Sequence, residues 1–131
     1  FEDWVKKQTN KGTTVVIHGT RCTSVIPILE QGLKIRPSGN FQFSGKVYGN
    51  GNYFSEDWNT SRYYTGNDTD KVLLVYEVHV GKPSYNSASN YSEIQRMGYD
   101  SFAMKGQGGL HTMRVMYKEE QSRIKYIIWL K

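Results

Sequence analysis

The sequence predicts an α+β domain, a largely antiparallel sheet assembly with two short helices. Three observations carry this expectation. Strand-like segments outnumber helical ones along the chain. Lys71 to Val80 alternates Leu73, Val75, Glu77 and His79 with Leu74, Tyr76, Val78 and Val80, the two-residue period of a strand. Thr13-Thr14-Val15-Val16-Ile17 is β-branched throughout, which suits a buried strand. At 131 residues the chain is long enough to bury a core, and it reads as one domain over residues 1–131.

Phe1 to Thr9 carries apolar residues at positions 1, 4 and 5 between charges, which predicts a short amphipathic helix or an arm. Asn10-Lys11-Gly12 signals a turn before the first strand. That strand ends in His18-Gly19-Thr20, where polar chemistry meets a glycine. Thr23 or Ser24 can cap a helix through Ile26, Ile28 and Leu29 that Gly32 stops, with Pro27 tolerated in its first turn. Residues 34–46 form a loop of mixed charge. Val47-Tyr48-Gly49-Asn50-Gly51-Asn52-Tyr53-Phe54-Ser55 follows, a stretch whose glycines permit a sharp turn or a close approach. Its aromatics offer a flat wall for a planar ring.

Ser55 or Asp57 can cap a second helix over Trp58 to Tyr64, which Gly66-Asn67-Asp68 breaks. After the strand at 71–80 comes a Pro/Ser/Asn/Tyr loop with a turn of helix near Ser92 to Met97. Tyr99 to Met104 predicts a short strand, and Gly106 to Gly109 a break. Met113 to Tyr117 and Ile124 to Leu130 predict two strands joined by the charged segment Lys118 to Arg123.

Composition narrows the function classes. Hydrophobic residues make up 37% of the chain, with no apolar run approaching a membrane span. The single Cys22 excludes an internal disulfide framework and fits a reducing, intracellular setting, cytoplasmic or nuclear. No signal-peptide pattern is visible, and a start at Phe1 rather than Met suggests a piece of a longer protein. Three Asn-x-Ser/Thr matches, at Asn59, Asn67 and Asn90, are what chance gives in so Ser/Thr/Asn-rich a chain. The net charge of +5 suits an anionic ligand or nucleic acid, and equally plain solubility.

Cys22, His18, His79 and His111 share no metal-ligand spacing, so no metal is expected. The Gly49/Gly51 pair lacks the third glycine of a dinucleotide fingerprint and the Gly-Lys-Ser/Thr of a phosphate loop. Taken singly, His18 reads as a structural histidine, the tyrosines as packing, Met113 as core and Lys34 as a solvated charge. Only the joint pattern outweighs these readings.

That pattern resembles the catalytic domain of the poly(ADP-ribose) polymerase-like (diphtheria-toxin-like) ADP-ribosyltransferases. The landmarks run in order from about Val15 to Leu130. They are His18-Gly19-Thr20, Ile28-Leu29-Glu30-Gln31-Gly32-Leu33, Gly49-Asn50-Gly51-Asn52-Tyr53-Phe54, Ser61 with Tyr64, Leu73 to Gly81, and Tyr117-Lys118-Glu119-Glu120-Gln121 through Lys125-Tyr126. The resemblance implies two packed, mostly antiparallel sheets with a few short helices. It implies NAD as co-substrate, with no metal, and a monomeric domain. It also implies site roles. Gly19 would offer N–H and C=O to the nicotinamide carboxamide, and Ser61 would add a hydroxyl. Tyr64 would stack on the nicotinamide, with Tyr53 packing from the other side. His18 would bond a ribose hydroxyl of the adenosine half, with Thr20 near it, and Lys34 would sit near the adenosine–pyrophosphate half.

One position departs from the family. Polymerising members place a glutamate four residues before the tyrosine matching Tyr117, and here that position is Met113. The resemblance thus implies a His18-Tyr53-Met113 triad and transfer of a single ADP-ribose, most readily to a protein acceptor. A catalytically inactive NAD- or ADP-ribose-binding module and a nucleic-acid-binding or nucleic-acid-modifying module remain the alternatives. The helical regulatory domain of the DNA-damage polymerases is expected to be absent, because the stretch before the first strand is too short for it.

Overall fold

The structure is a computed structural model that describes residues 1–35, 51–58, 71–85, 97–105 and 110–130. Its elements run α1 (Glu2–Lys6), β1 (Thr14–Arg21), α2 (Val25–Gln31), β2 (Asn52–Phe54), β3 (Lys71–Val78), β4 (Pro83–Ser84), β5 (Ser101–Lys105), β6 (His111–Met116) and β7 (Ser122–Leu130). Short 3-10 turns at Cys22–Ser24 and Glu119–Gln121 lead into α2 and β7. The described part is α+β, as expected. One sheet has the order β1-β3-β7 and the other β2-β6-β5-β4. Every strand pair is antiparallel except β4 with β5, a two-residue parallel contact between Pro83-Ser84 and Ser101-Phe102.

β3 explains why its sequence is the most strand-like. It is bonded on both sides, to β1 and β7, and Val72, Leu73, Leu74, Tyr76 and Val78 are all buried. The main core lies between the sheets. Val16, Val72, Leu74, Tyr76 and Val78 come from one, Phe54 and Met116 from the other, and Val25 from α2. Each such fully buried side chain contributes about 1.5–3 kcal/mol relative to exposure. A smaller cluster sits on the opposite face of the second sheet. There Phe102 and Val115 are buried, with Tyr53, Tyr99, Met104, Met113 and Tyr117 packed against them.

Several boundaries differ from the sequence expectation, for physical reasons. β1 continues through His18-Gly19-Thr20 to Arg21 because the whole segment pairs with β3, ending at Arg21↔Lys71. The Asn52-Tyr53-Phe54 stretch is itself a strand, paired with β6. Its neighbour Gly51 does serve a close approach, but to protein. A Cβ there would lie 2.6 Å from Val115 Cγ1 and 2.8 Å from the Met116 carbonyl. Ser24 occupies the N-cap position of α2 without a side-chain capping bond. Gly32 stops that helix as expected, at φ 79°, with its N–H on the Ile28 carbonyl at 2.8 Å. Ser55 Oγ accepts the Asp57 N–H at 2.9 Å, but the helix expected over Trp58 to Tyr64 and the turn of helix expected near Ser92 to Met97 fall, but for Trp58 and Met97 themselves, outside the described residues.

The N-terminal helix is fixed by one side chain. Trp4 is 7% exposed, and its indole N–H donates to His79 Nδ1 at 3.1 Å. Lys118 Nζ lies 4.7 Å from the centre of the Trp4 ring, a cation–π contact. His79 in turn takes Gly81 N–H on the same Nδ1 at 3.1 Å and bonds the Asn10 carbonyl through Nε2.

Candidate active site

β1 has β3 on one side only. On its other side Ile17 exchanges both main-chain bonds with Ser55. Ile17 N–H donates to the Ser55 carbonyl at 2.8 Å, and Ser55 N–H to the Ile17 carbonyl at 2.9 Å. This isolated bridge brings the edges of the two sheets together. One residue further on, a side chain takes over from the backbone. His18 Nδ1 lies 2.8 Å from the Tyr53 carbonyl. A carbonyl only accepts, so Nδ1 carries the hydrogen, and in the neutral ring Nε2 presents a lone pair.

The ring is also held from the core side. Phe54 meets it edge-on at 5.9 Å between centroids and Tyr76 at 6.5 Å, while Phe54 and Tyr76 pack on each other at 5.2 Å. Burial is the larger influence on His18 and lowers its pKa, and the bond to the Tyr53 carbonyl opposes it only in part. His18 is therefore held as neutral imidazole. Burial pushes the Tyr76 hydroxyl up to about 12, so that phenol stays protonated as well.

Gly19 follows from strand geometry. In an antiparallel pair, successive residues point their N–H and C=O to opposite sides. Ile17 points its pair at Ser55, so Gly19, two residues on, points its own pair along the same edge. No described residue pairs with it there. The result is one donor and one acceptor side by side on an open strand edge, next to His18 and level with Tyr53.

The structure brings some expected site residues together and leaves others apart. His18 and Tyr53 are in direct contact. Tyr53 and Met113 share the cluster around Val115. Met113 stands opposite Met104 in the β5–β6 pair and is half-buried. Tyr117, in the same cluster, has its hydroxyl pushed up to about 12 by burial. Thr20 is buried on the same strand face as His18. Lys34 is exposed and pairs with Glu119 at 3.4 Å, a contact the sequence reading did not foresee. Such a surface pair is worth about 0–1 kcal/mol. Ser61 and Tyr64 lie outside the described residues.

Sequence reasoning missed a second polar cluster. The Glu56 carboxylate accepts from the His111 main-chain N–H at 2.9 Å and from Arg114 Nε at 2.8 Å, and lies 3.0 Å from His111 Nδ1. Burial alone would push that carboxyl up. The bonds from the His111 main chain, Arg114 and the His111 ring, with the Arg114 charge, together outweigh it and hold the pKa below the ordinary value. No sequence signal could have found this cluster, since Glu56 and its partners are separated by 55 and 58 positions. No group of three or more His, Cys, Asp or Glu suited to a metal occurs among the described residues. No helix among them is long and apolar enough to cross a membrane.

With this geometry in hand, two comparisons bear on the chain. Residues 1–111 match the family model of the poly(ADP-ribose) polymerase catalytic domain. The match ends two positions before Met113. The chain is also similar to a protein of Invertebrate iridescent virus 6 that is provisionally named poly(ADP-ribose) polymerase-like 100L. The two are 50% identical over 138 aligned positions, covering 98% of this chain and 76% of the viral protein.

Proposed function

The chain belongs to the poly(ADP-ribose) polymerase catalytic-domain family, and on that premise we propose that it is an NAD-dependent mono-ADP-ribosyltransferase. The observation that carries the single-transfer reading is the residue at the third triad position. A glutamate there would accept a hydrogen bond from a ribose hydroxyl and draw a proton from an incoming acceptor. The Met113 thioether is only a weak acceptor and cannot take up that proton. Packed among Tyr53, Tyr117, Phe102 and Val115, it makes an apolar wall instead.

The open edge supports NAD as the substrate. A carboxamide needs one acceptor and one donor in fixed geometry, which Gly19 would supply through its main chain, with Ser61 adding a hydroxyl. Tyr53 and Tyr64 would enclose the nicotinamide ring. His18 Nε2 would accept from a ribose hydroxyl of the adenosine half, beside Thr20, and Lys34 would lie toward the pyrophosphate. Such a site works by holding NAD with its glycosidic bond ready to break. The nicotinamide–ribose bond breaks, its electron pair leaves with nicotinamide, and the acceptor's nucleophile bonds to the sugar carbon. With no carboxylate at Met113, the acceptor's proton leaves to its own carboxylate or phosphate, or to solvent. The acceptor we propose is a protein side chain, and the setting intracellular.

Mass spectrometry after incubation with NAD tests the reading. Nicotinamide release with single ADP-ribose additions on the chain or an added acceptor is expected. Chains of ADP-ribose would overturn the mono-transfer reading. Binding of NAD without nicotinamide release would leave an inactive binding module, and steep salt-dependent nucleic-acid binding without NAD affinity would favour the nucleic-acid alternative. Met113→Ala should keep single transfer within about threefold of the parent rate, as expected for a wall residue rather than a proton acceptor.

A further inference from the structure

We propose that Arg114 and His111, steadied by Glu56, form a buried site for a small oxyanion, a phosphate or carboxylate group, separate from the NAD centre. Arg114 stands opposite Phe54 in the β2–β6 pair, so its side chain lies on the opposite face of β6 from Met113. The register of β5 and β6 slips between Met104 and Lys105, where Met113 and His111 are successive partners. That irregularity turns His111 toward the Arg114 side. The same carboxylate therefore receives both side chains, Arg114 Nε on Oε2 and His111 Nδ1 on Oε1.

What marks a site is what stays unmet. The Arg114 side chain is 8% exposed, yet among the described residues its buried Nη1 has no hydrogen-bond partner, and neither has His111 Nε2. Buried polar groups are almost always satisfied, and an orphaned guanidinium nitrogen is among the most costly to leave so. Arg114 Nη2 lies 3.1 Å from His111 Nδ1, so the guanidinium and the imidazole form one cluster. Nδ1 has one place for a hydrogen and cannot both donate to Glu56 and accept from Arg114. The carboxylate is the natural partner for an Nδ1–H.

The unmet groups point to an anion. Glu56 engages Nε of the guanidinium, so the two N–H groups of Arg114 Nη1 stay without an acceptor among the described residues, and His111 Nε2 beside them is likewise unmet. An oxyanion offers several acceptor oxygens to such donors, whereas a single water accepts two hydrogen bonds. Among the described residues, the titratable and charged groups facing His111 are Glu56 and Arg114, and the Tyr85 ring lies 5.9 Å from it, tilted by 33°. Tyr85 is 61% exposed, so its ring borders His111 from the solvent side.

The experiment is side-chain NMR of Arg114 and His111 in the full chain, titrated separately with inorganic phosphate, acetate and a short phosphoserine peptide. Saturable shifts of both side chains with phosphate or acetate are expected. A response to the peptide alone also supports the site and assigns the anion to a macromolecule. His111→Gln should weaken binding about tenfold or more, the loss of a charge-assisted bond, and Arg114→Gln should abolish it. Arg123→Gln should leave it unchanged. If Arg114→Gln does not fold, His111→Gln decides. No saturable shift with any of the three probes would overturn the proposal. So would shifts that appear only on adding NAD and track those of His18.

Discussion

Two histidines of this chain differ in one respect that separates a structural residue from an available one. His79 is 3% exposed and uses both ring nitrogens. Nδ1 accepts from the Trp4 indole and from Gly81 N–H, and Nε2 donates to the Asn10 carbonyl. Its main chain is occupied too, by Gln121 at 2.9 Å and 3.1 Å. His18 uses one nitrogen, on the Tyr53 carbonyl, and is braced by Phe54 and Tyr76. Both rings are fixed, but of the two only His18 keeps a nitrogen with no partner among the described residues. A saturated imidazole ties elements together, and a half-saturated one on an open strand edge can meet a ligand.

The largest expected difference follows from this. His18→Ala should lower ADP-ribose transfer at least about a hundredfold per folded molecule, beyond what its lost hydrogen bond and ring packing cost in melting. His79→Ala should do the reverse, leaving activity per folded molecule intact and costing about 2–4 kcal/mol in denaturant unfolding. It leaves the Trp4 and Gly81 donors unmet and opens a cavity. Loss of activity without loss of stability in His79→Ala would erase the distinction.

Gly51→Ala probes the strand that carries Tyr53 to His18. A methyl group there meets Val115 and the Met116 carbonyl well inside contact distance, and backbone cannot move aside as a side chain can. Destabilisation of about 1–3 kcal/mol is expected in chemical denaturation, with a raised KM for NAD as Tyr53 shifts.

Trp4→Phe keeps most of the ring but removes the N–H that His79 accepts. It should cost about 1 kcal/mol and leave transfer unchanged, with hydrogen exchange increasing in residues 2–8.

The smallest effect concerns acid. The folded pKa of His18 lies below its ordinary 6.5. As pH falls below 6.5, the unfolded chain takes up a proton that the folded chain refuses. Stability is therefore lost by up to about 1.4 kcal/mol per pH unit until the folded pKa is reached. His18→Gln should remove this part of the acid sensitivity, measured as unfolding free energy between pH 7 and 5.

The histidine comparison also shows how much was legible beforehand. His18 stood out because His-Gly-Thr followed a β-branched run and kept its order relative to Tyr53. Tyr53 was legible as an aromatic beside glycines. His79 reads from the sequence as one position in an alternating strand and as no metal ligand, because its partners Trp4 and Asn10 are far away in sequence and ordinary in type. The Glu56 cluster was invisible for the same reason. Lys34 was expected near a pyrophosphate, and its pairing with Glu119 came only with the fold. Glycine at 51 permits a sharp turn or a close approach, and what it approaches is β6, at Val115 and the Met116 carbonyl.

Local sequence alone carried the α+β class, a strand within residues 71–80, the stop at Gly32 and the methionine at position 113. These depend on local period, local backbone freedom and residue identity. The packed fold was needed to show which side of β1 lacks a paired strand among the described residues, and which histidine nitrogen has no partner there. Those depend on hydrogen bonds between distant residues. The Ile17–Ser55 bridge sets the Gly19 N–H and C=O, unpaired among the described residues, on one edge, and no local pattern records where such a bridge falls.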